Sequence, residues 1–315
     1  MPKLLVSIVN YCDPEFYETV RTLWNNASIK EDLIFSLVSE DNVEHDFSFI
    51  PSNQLIYRYF NLDSYRGGVA WARNLAVDVE VEYDYLMQFD SHTAARRGWD
   101  TQAIRDYCSV EDTKYILAYA PADYELNPDG TVEVINVPRP FSSLAAYYNE
   151  FIPGFNFPGY KQVPSNLIKH YWATCCYLLA PKAWVDEVGI SKNSSFNTEE
   201  ISLSLRTFAK GWSIYAVQSG GVFHHDSHKQ PNGDMTRAIN RPWADGRKED
   251  YWDHVELATD NLGKLLAGLG DVSRETVEAF FEVTGMDKKY MECSTDYHSY
   301  IEIPNRGYGM PPRRS

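Results

Sequence analysis

Short apolar runs alternate along the chain with stretches whose apolar residues recur at helical spacing. The runs predict buried strands, because a strand covered on both faces reads as a nearly continuous apolar segment. The first predicted helix begins at Pro14 with Asp13 as its N-cap, and the next covers 69–79 after Gly67 and Gly68. Predicted strands cover 4–9, 33–38, 55–60, 83–89, 115–120, 132–137, 174–179 and 214–217.

The alternation of strands and helices favours an α/β fold built from βαβ units around a mostly parallel central sheet. Residues 138–170 are rich in Pro, Phe, Tyr and Asn and show little periodicity, which predicts a long loop or an insertion over a site. From residue 249 the apolar positions return to helical spacing. We therefore predict one catalytic domain over 1–248 and a helical C-terminal extension over 249–315.

The net charge of the chain indicates which kinds of molecule it can bind. The chain of 315 residues carries 29 Lys and Arg against 44 Asp and Glu, a net charge of −15. This charge repels phosphate backbones, so a nucleic-acid substrate would need a local basic patch. The segment 229–248 is locally basic, with a charge of +3, and is interpreted either as a lid over a bound diphosphate or as such a patch.

The location in the cell is predicted from signals that are missing. No apolar run approaches the length of a membrane helix, and the apolar segment at 4–9 is too short for a secretory leader. The five cysteines are scattered and form no CxxC motif, which is typical of reduced thiols. We expect a cytoplasmic protein that makes no contact with a membrane.

The sharpest chemical motif is Asp90-Ser91-His92, directly after the predicted strand 83–89. In an open α/β sheet, ligands bind outside the carboxyl ends of the strands. If the backbone stays extended, Asp90 and His92 project to the same side and form half of a site for Mn²⁺ or a similar ion. The alternative is that Asp90 caps the next helix and His92 is an incidental loop residue.

A second histidine cluster, HHDSH, occupies 224–228. His224 follows an apolar pair and is the first choice as a further metal ligand. His225 is the alternative ligand. With Asp90 and His92 it would leave coordination positions open for diphosphate oxygens and water, a catalytic arrangement. A solvated histidine loop, a zinc hydrolase that uses both Asp-Ser-His motifs and a non-catalytic carbohydrate-binding protein are the alternatives.

Two further motifs each allow two interpretations. Thr198 and the acidic pair Glu199 and Glu200 form a helix start whose charges suit the positive end of the dipole; equally, Glu199 could accept sugar hydroxyls at the floor of a pocket. The Gly-Gly pair at 67–68 leaves backbone N–H groups open to an anion. Arg73, inside the following helix, either reaches a nucleotide or pairs with an acidic neighbour.

These segments resemble the GT-A glycosyltransferases. The similarity is greatest to polypeptide N-acetylglucosaminyltransferases that act on hydroxyproline, a branch close to the mucin-type N-acetylgalactosaminyltransferases. It covers roughly 4–228 and is carried by SIVNYCDPEFYETVRTLW, GGVAWARNLA, YDYLMQFDSHTAARRGWD and FNTEEISLSLRTFAKGW.

The resemblance implies a Mn²⁺-dependent enzyme that retains the anomeric configuration and uses a nucleotide-sugar donor, with a UDP-sugar favoured. The acceptor would be a hydroxyl on a polypeptide, a glycan or a modified DNA base. The implied metal ligands are Asp90, His92 and His224; the implied catalytic residues are Glu199 and Asp90; the implied donor-site residues are Arg73, Gly67, Gly68, Asp13 and Ser91.

Overall fold

A computed structural model describes residues 1–62, 68–126, 132–134, 167–192, 194, 198–217, 221–225 and 249–284. Its strands are β1 Leu4–Tyr11, β2 Leu33–Asp41, β3 Leu55–Asn61, β4 Tyr85–Asp90, β5 Thr93–Ala95, β6 Tyr115–Ala118, β7 Ala122–Leu126, β8 Val132–Val134, β9 Leu167–His170, β10 Tyr177–Pro181, β11 Ser213–Val217 and β12 Val222–His224. Its α-helices are α1 Phe16–Asn26, α2 Gly68–Val77, α3 Trp99–Cys108, α4 Lys182–Glu187, α5 Glu199–Ala209, α6 Glu249–Leu266 and α7 Arg274–Thr284.

The main sheet has the strand order β3-β2-β1-β4-β10-β6-β11-β9. Strands β1 to β4 are parallel neighbours, and β6 and β11 are parallel to each other. Strand β10 runs antiparallel between β4 and β6, and β9 runs antiparallel at the edge beside β11. The predicted α/β architecture with a mostly parallel central sheet is therefore confirmed.

Buried side chains along each strand point alternately to the two faces of this sheet. An apolar core therefore forms on both faces. Leu4, Val6 and Ile8 of β1 are fully buried and pack with Phe16 on one face. Leu5 packs into a separate apolar cluster on the other face. Each such side chain contributes about 1.5–3 kcal/mol to folding when it leaves water. The apolar run at 4–9 indicated this two-sided burial correctly.

The first helix begins later than predicted. Helix α1 starts at Phe16, with Glu15 in the N-cap position, and Asp13 lies outside the helix. The Asp13 carboxylate does accept a hydrogen bond from the Glu15 N–H, at 2.9 Å, but within the preceding turn. Its other oxygen bonds to Ser91, so the side chain serves a long-range contact rather than a helix cap.

A second, smaller sheet was not predicted as such. Its strand order is β5-β12-β7-β8, with β5 antiparallel to β12 and β12 parallel to β7. Strands β5 and β12 have three residues each, too few for a periodic pattern to appear in the sequence.

The predicted strand 115–120 ends early, at Ala118, and the predicted strand 174–179 is displaced to Tyr177–Pro181.

The predicted loop at 138–170 is wrong at its end, because Leu167–His170 forms strand β9 and pairs with β11 at the sheet edge. Residues 138–166 lie outside the described part of the chain, as do the last three of the predicted strand 132–137. No helix in the described ranges combines the length and the apolar character needed to cross a bilayer.

Helices α6 and α7 confirm that the chain is helical again after residue 249. They pack on α5 in one apolar cluster, in which Phe280 and Phe281 of α7 are fully buried and Trp172 contacts Phe280 edge to face. Residues 285–315 lie outside the description. The predicted boundary at residue 248 stays a prediction.

Replacing Phe280 by alanine should lower stability to denaturant by about 3–5 kcal/mol, because the substitution leaves a cavity where α7 meets α5. Urea unfolding of the full chain, followed by circular dichroism, measures the change. Val283→Ala on the same helix is the matched control, since Val283 is 45% exposed and should cost far less. Equal losses for the two variants would contradict this packing arrangement.

Candidate active site

Asp90 is the last residue of β4 and lies at the carboxyl edge of the sheet, as predicted. Parallel pairing places it beside Val9 near the end of β1. The chain then turns at Ser91 and His92 into β5, so the backbone is not extended through His92. The assumption of an extended backbone through His92 is therefore wrong, but both residues lie beside His224, whose ring centroid is 4.6 Å from that of His92.

The short β5–β12 ladder brings His224 to Asp90 across 134 residues of sequence. In its register His224 lies opposite Thr93, and the N–H of His225 donates to the carbonyl of His92 at 3.0 Å. The His224 imidazole Nε2 lies 3.2 Å from Asp90 Oδ2. His224, the first choice from the sequence, is thus the histidine next to Asp90.

His225 points to a different partner. Its Nδ1 lies 2.5 Å from Glu15 Oε1, and its ring stacks on Tyr124 with ring centroids 5.0 Å apart. The Tyr124 hydroxyl donates to the other oxygen of Glu15 at 3.0 Å. His225 and Glu15 therefore tie the end of β12 to the start of α1, next to the site.

His92 and Ser91 join Asp13 in one network. His92 Nδ1 lies 2.8 Å from Asp13 Oδ2, and the Ser91 hydroxyl donates to the same oxygen at 2.7 Å. The Asp13 backbone N–H donates to the Asn10 side chain at 2.8 Å. The neighbouring Cys12 has a φ of 49°, a left-handed conformation uncommon for a residue with a side chain. The turn after β1 is thus held in a defined shape around Asp13.

Three donor atoms of different chemistry meet at Asp90. A carboxylate oxygen of Asp90, a ring nitrogen of His224 and the Cys176 sulfur lie within 4.8 Å of one another. Within the described ranges this is the one set of three such side chains with that spacing. The His92 ring lies beside it, its centroid 4.6 Å from that of His224. The role of His92 as a ligand stays a prediction.

Sequence reasoning missed Cys176. The signal available was an adjacent pair of cysteines, Cys175 and Cys176, at the start of a predicted strand. In the predicted strand 174–179 the two neighbouring side chains would point to opposite faces of the sheet, so the pattern did not tell which one faces a site. In the structure both cysteines precede β10, and the Cys176 sulfur is the one near Asp90.

Arg73 bridges the two carboxylates at the centre of the site. Its Nη2 donates to Asp90 Oδ1 at 2.8 Å, and its Nη1 donates to the Glu199 carboxylate. The side chains of Arg73 and Glu199 are 6% and 2% exposed. Of the two interpretations left open for Arg73, the structure shows the pairing with acidic neighbours.

Of the Gly-Gly pair at 67–68, one glycine lies in the described part of the chain. Gly68 begins α2 with a φ of 76°, which glycine adopts without strain. Gly67 lies outside the described residues. The anion-binding role of both glycines stays a prediction.

Burial and neighbouring charged groups shift the pKa values of the Asp90 and Glu199 carboxyl groups. Burial raises the pKa of Asp90, but the hydrogen bond from His224 and the charge of Arg73 outweigh it and hold that pKa well below its usual range. Asp90 is therefore a carboxylate at any ordinary pH. Burial raises the pKa of Glu199 above its usual value, although Arg73 opposes the shift.

Glu199 keeps one oxygen available. Its Oε1 is buried and has no hydrogen-bond partner among the residues that the structure describes. Thr198 occupies the N-cap position of α5, as predicted, without a side-chain capping hydrogen bond. A buried, unpaired carboxylate oxygen is costly unless a ligand satisfies it, so Oε1 is suited to accept a hydroxyl.

Fold and site together define an α/β protein with a candidate cation site and a buried, unsatisfied carboxylate at the carboxyl edge of its sheet. The profile of the family described as Glycosyltransferase (GlcNAc) matches residues 50–315. The chain belongs to this family. The resemblance drawn from the motifs is thereby confirmed at the level of a glycosyltransferase.

Solved structures give weaker likenesses. GalNAc-T7 with UDP, GalNAc and Mn²⁺ is 13% identical with a TM-score of 0.47, over 96% of this chain and 59% of that one. S. aureus TarS 1-349 in complex with UDP-GlcNAc is 11% identical with a TM-score of 0.48, over 95% and 81%. A longer S. aureus TarS is 12% identical with a TM-score of 0.46, over 89% and 42%. The chain thus spans less than two thirds of GalNAc-T7 and of the longer TarS. No curated protein matches the chain.

Replacing Arg73 by methionine should destabilise the fold by about 3–5 kcal/mol, because Asp90 and Glu199 then lose their shared cation while still buried. Arg73→Met/Glu199→Gln should recover part of that loss, since one of the two charges is gone. Urea unfolding measures both. Arg21→Met, which breaks an exposed pair with Glu18 on α1, is the control and should cost no more than about 1 kcal/mol. Equal costs for Arg73→Met and Arg21→Met would contradict the bridging role.

Glu200 should make stability depend on pH. Burial raises its pKa from 4.5 to about 8, against a hydrogen bond from Thr174. Because the folded pKa is the higher one, the stabilising neutral form is fully present below pH 4.5, and stability falls as the pH rises from there to about 8. Glu200→Gln should flatten this slope in urea midpoints measured across that window. A slope unchanged by the substitution would contradict the assignment.

Proposed function

We propose that this chain is a metal-dependent, retaining glycosyltransferase that moves a sugar from a UDP-sugar to a hydroxyl acceptor. Membership of the Glycosyltransferase (GlcNAc) family supports the reaction class and makes UDP-GlcNAc the first donor to test. The observation that carries the proposal is a set of linked side chains around Asp90. Arg73 and His224 contact Asp90, and Arg73 also contacts Glu199, so that four separate elements meet. A module that only binds carbohydrate has no need for this arrangement.

The donor set suits a divalent first-row ion such as Mn²⁺. A carboxylate oxygen and an imidazole nitrogen converge at Asp90 and His224, and both are donors that such ions accept. His92, as predicted, or Cys176 would complete the protein ligands. When bound, the ion supplies positive charge against the phosphates of the departing nucleoside diphosphate.

The protein groups around this position have separate tasks. Arg73 keeps Asp90 ionised and fixes the orientation of both carboxylates. Glu199 Oε1 accepts a hydroxyl of the bound sugar and so orients the ring. Asp13 holds His92 and Ser91 at the turn after β4. These groups are preorganised by buried hydrogen bonds, which is how positioning contributes to rate.

Retention places the acceptor on the same face of the sugar from which the diphosphate leaves. The acceptor oxygen forms the new bond to the anomeric carbon as the bond to the phosphate oxygen breaks. That phosphate oxygen takes the proton of the acceptor hydroxyl. No side chain acting as a dedicated base is required in this scheme.

The acceptor is a hydroxyl on a polypeptide, a glycan or a modified DNA base. The net charge of −15 disfavours nucleic acid unless the basic segment 229–248 receives it. That segment, as lid or as patch, lies outside the described residues, and so does the second Asp-Ser-His motif of the hydrolase alternative. The family membership favours transfer over hydrolysis. We place the enzyme in the cytoplasm.

Calorimetric titration of UDP into the full chain tests the donor site. We expect binding that requires Mn²⁺ and that weakens at least tenfold, about 1.4 kcal/mol, in Asp90→Asn, because the amide cannot replace the anionic ligand. Asp186→Asn is the matched control, since that carboxylate is 61% exposed and pairs with Lys182 within the same short helix, α4.

Circular dichroism must show that each variant is folded before its UDP binding is compared with that of the wild type. Absence of UDP binding with every divalent metal tried would contradict the proposal and turn attention to a zinc assay. Turnover of UDP-GlcNAc that survives Asp90→Asn unchanged would contradict it as well. For the acceptor, salt-sensitive binding to DNA would favour a nucleobase, and salt-independent turnover on a peptide or glycan would exclude it.

A further inference from the structure

Cys176 lies directly before β10, at the end of that strand that is close to Asp90. Strand β10 runs antiparallel to β4 with Tyr177 opposite Phe89, so the chain enters β10 at Cys176 near the point where β4 ends at Asp90. The preceding Cys175 is 2% exposed and packs in the apolar cluster that also contains Leu5. Cys175 also lies close enough to Arg73 and Glu199 to interact with their charges, but it is the Cys176 sulfur that joins the donor atoms of Asp90 and His224.

The Cys176 thiol belongs to the polar network of the site. Its sulfur lies close to the Asp90 carboxylate, whose Oδ2 also lies 3.2 Å from His224 Nε2. The sulfur, oxygen and nitrogen atoms lie within 4.8 Å of one another. All three are metal donors, so their positions suit a shared divalent ion.

We propose that Cys176 Sγ is a direct ligand of the divalent ion in the proposed glycosyltransferase site, together with Asp90 and His224. Binding forms the metal–sulfur bond, and the thiol proton leaves to solvent. A thiolate ligand shifts the preference of the site toward thiophilic ions such as Co²⁺, Zn²⁺ and Cd²⁺ relative to Mn²⁺. This inference rests on the proposed function, because it assigns a ligand to that same site.

His92 is the competing third ligand. Its Nδ1 is held by Asp13 at 2.8 Å, a pairing that also occurs behind metal-bound imidazoles. In the described arrangement, however, its ring packs against that of His224, and its nitrogens lie outside the set of three. The two ligands differ in an observable way, because only sulfur gives a characteristic charge-transfer absorption with Co²⁺.

The experiment is a titration of the full chain with Co²⁺ in the presence of UDP, followed by visible and near-ultraviolet absorption. The ligand-field bands in the visible report that cobalt is bound, and the sulfur-to-cobalt band in the near ultraviolet reports a thiolate ligand. The variants are Cys176→Ser, Cys175→Ala as the neighbouring-thiol control, His92→Gln, and Asp90→Asn to show that the signal comes from this site. Circular dichroism checks that each is folded.

We expect wild type, Cys175→Ala and His92→Gln to show the sulfur band, and Cys176→Ser to bind cobalt without it. The preference for Cd²⁺ over Mn²⁺, measured by competition, should fall at least tenfold in Cys176→Ser. Cobalt bound to wild type with no sulfur band would overturn the inference and leave the proposed function standing. A sulfur band that survives Cys176→Ser would overturn it too. Failure of wild type to bind any of these ions would overturn both proposals.

Discussion

The site depends on one buried guanidinium. Arg73 donates to Asp90 and to Glu199 at once, and it joins α2, β4 and α5 at a single point. Two carboxylates this close and this buried would repel each other and lose hydration without a cation between them. Because Arg73 supplies that cation, Asp90 is ionised and held in place, while one oxygen of Glu199 has no partner among the described residues.

The remaining contacts bring distant segments to that point. The β5–β12 ladder spans only three residues a strand, yet it carries His224 to Asp90. Asp13 reaches from the turn after β1 to His92 and Ser91. Short elements suffice because each is anchored to the main sheet or to α1, and rigid anchoring of this kind holds functional side chains within narrow limits.

The floor of the site relies on the C-terminal helices. Helix α5, which begins with Glu199, has its apolar face packed against α7 and the segment before it. The same helix bonds to the segment before β10 that contains the cysteines, since the Thr174 hydroxyl donates to Glu200 at 3.0 Å. The extension predicted from residue 249 is therefore structurally coupled to the position of Glu199, whether or not it is a domain of its own.

The sequence by itself determined the architecture and the location of the chemistry. Apolar runs such as 4–9 predict buried strands because burial on both faces requires apolar side chains at every position, and the carboxyl-edge rule then placed Asp90 correctly. Helical spacing likewise predicted the helices after residue 249. These inferences succeed because they depend only on local pattern.

Only the tertiary structure decided which groups meet. Asp13 matched a helix cap, yet one of its carboxylate oxygens bonds to Ser91 and His92 while the other makes the local bond to the Glu15 N–H. The chain turns directly after Asp90, and the position of the His92 ring against that of His224 follows from packing rather than from an extended strand. Cys175 and Cys176 have equivalent sequence contexts, and the structure was needed to show that the Cys176 sulfur is the one beside the Asp90 and His224 donor atoms. Contacts between segments far apart in sequence are set by packing, which no short window of sequence contains.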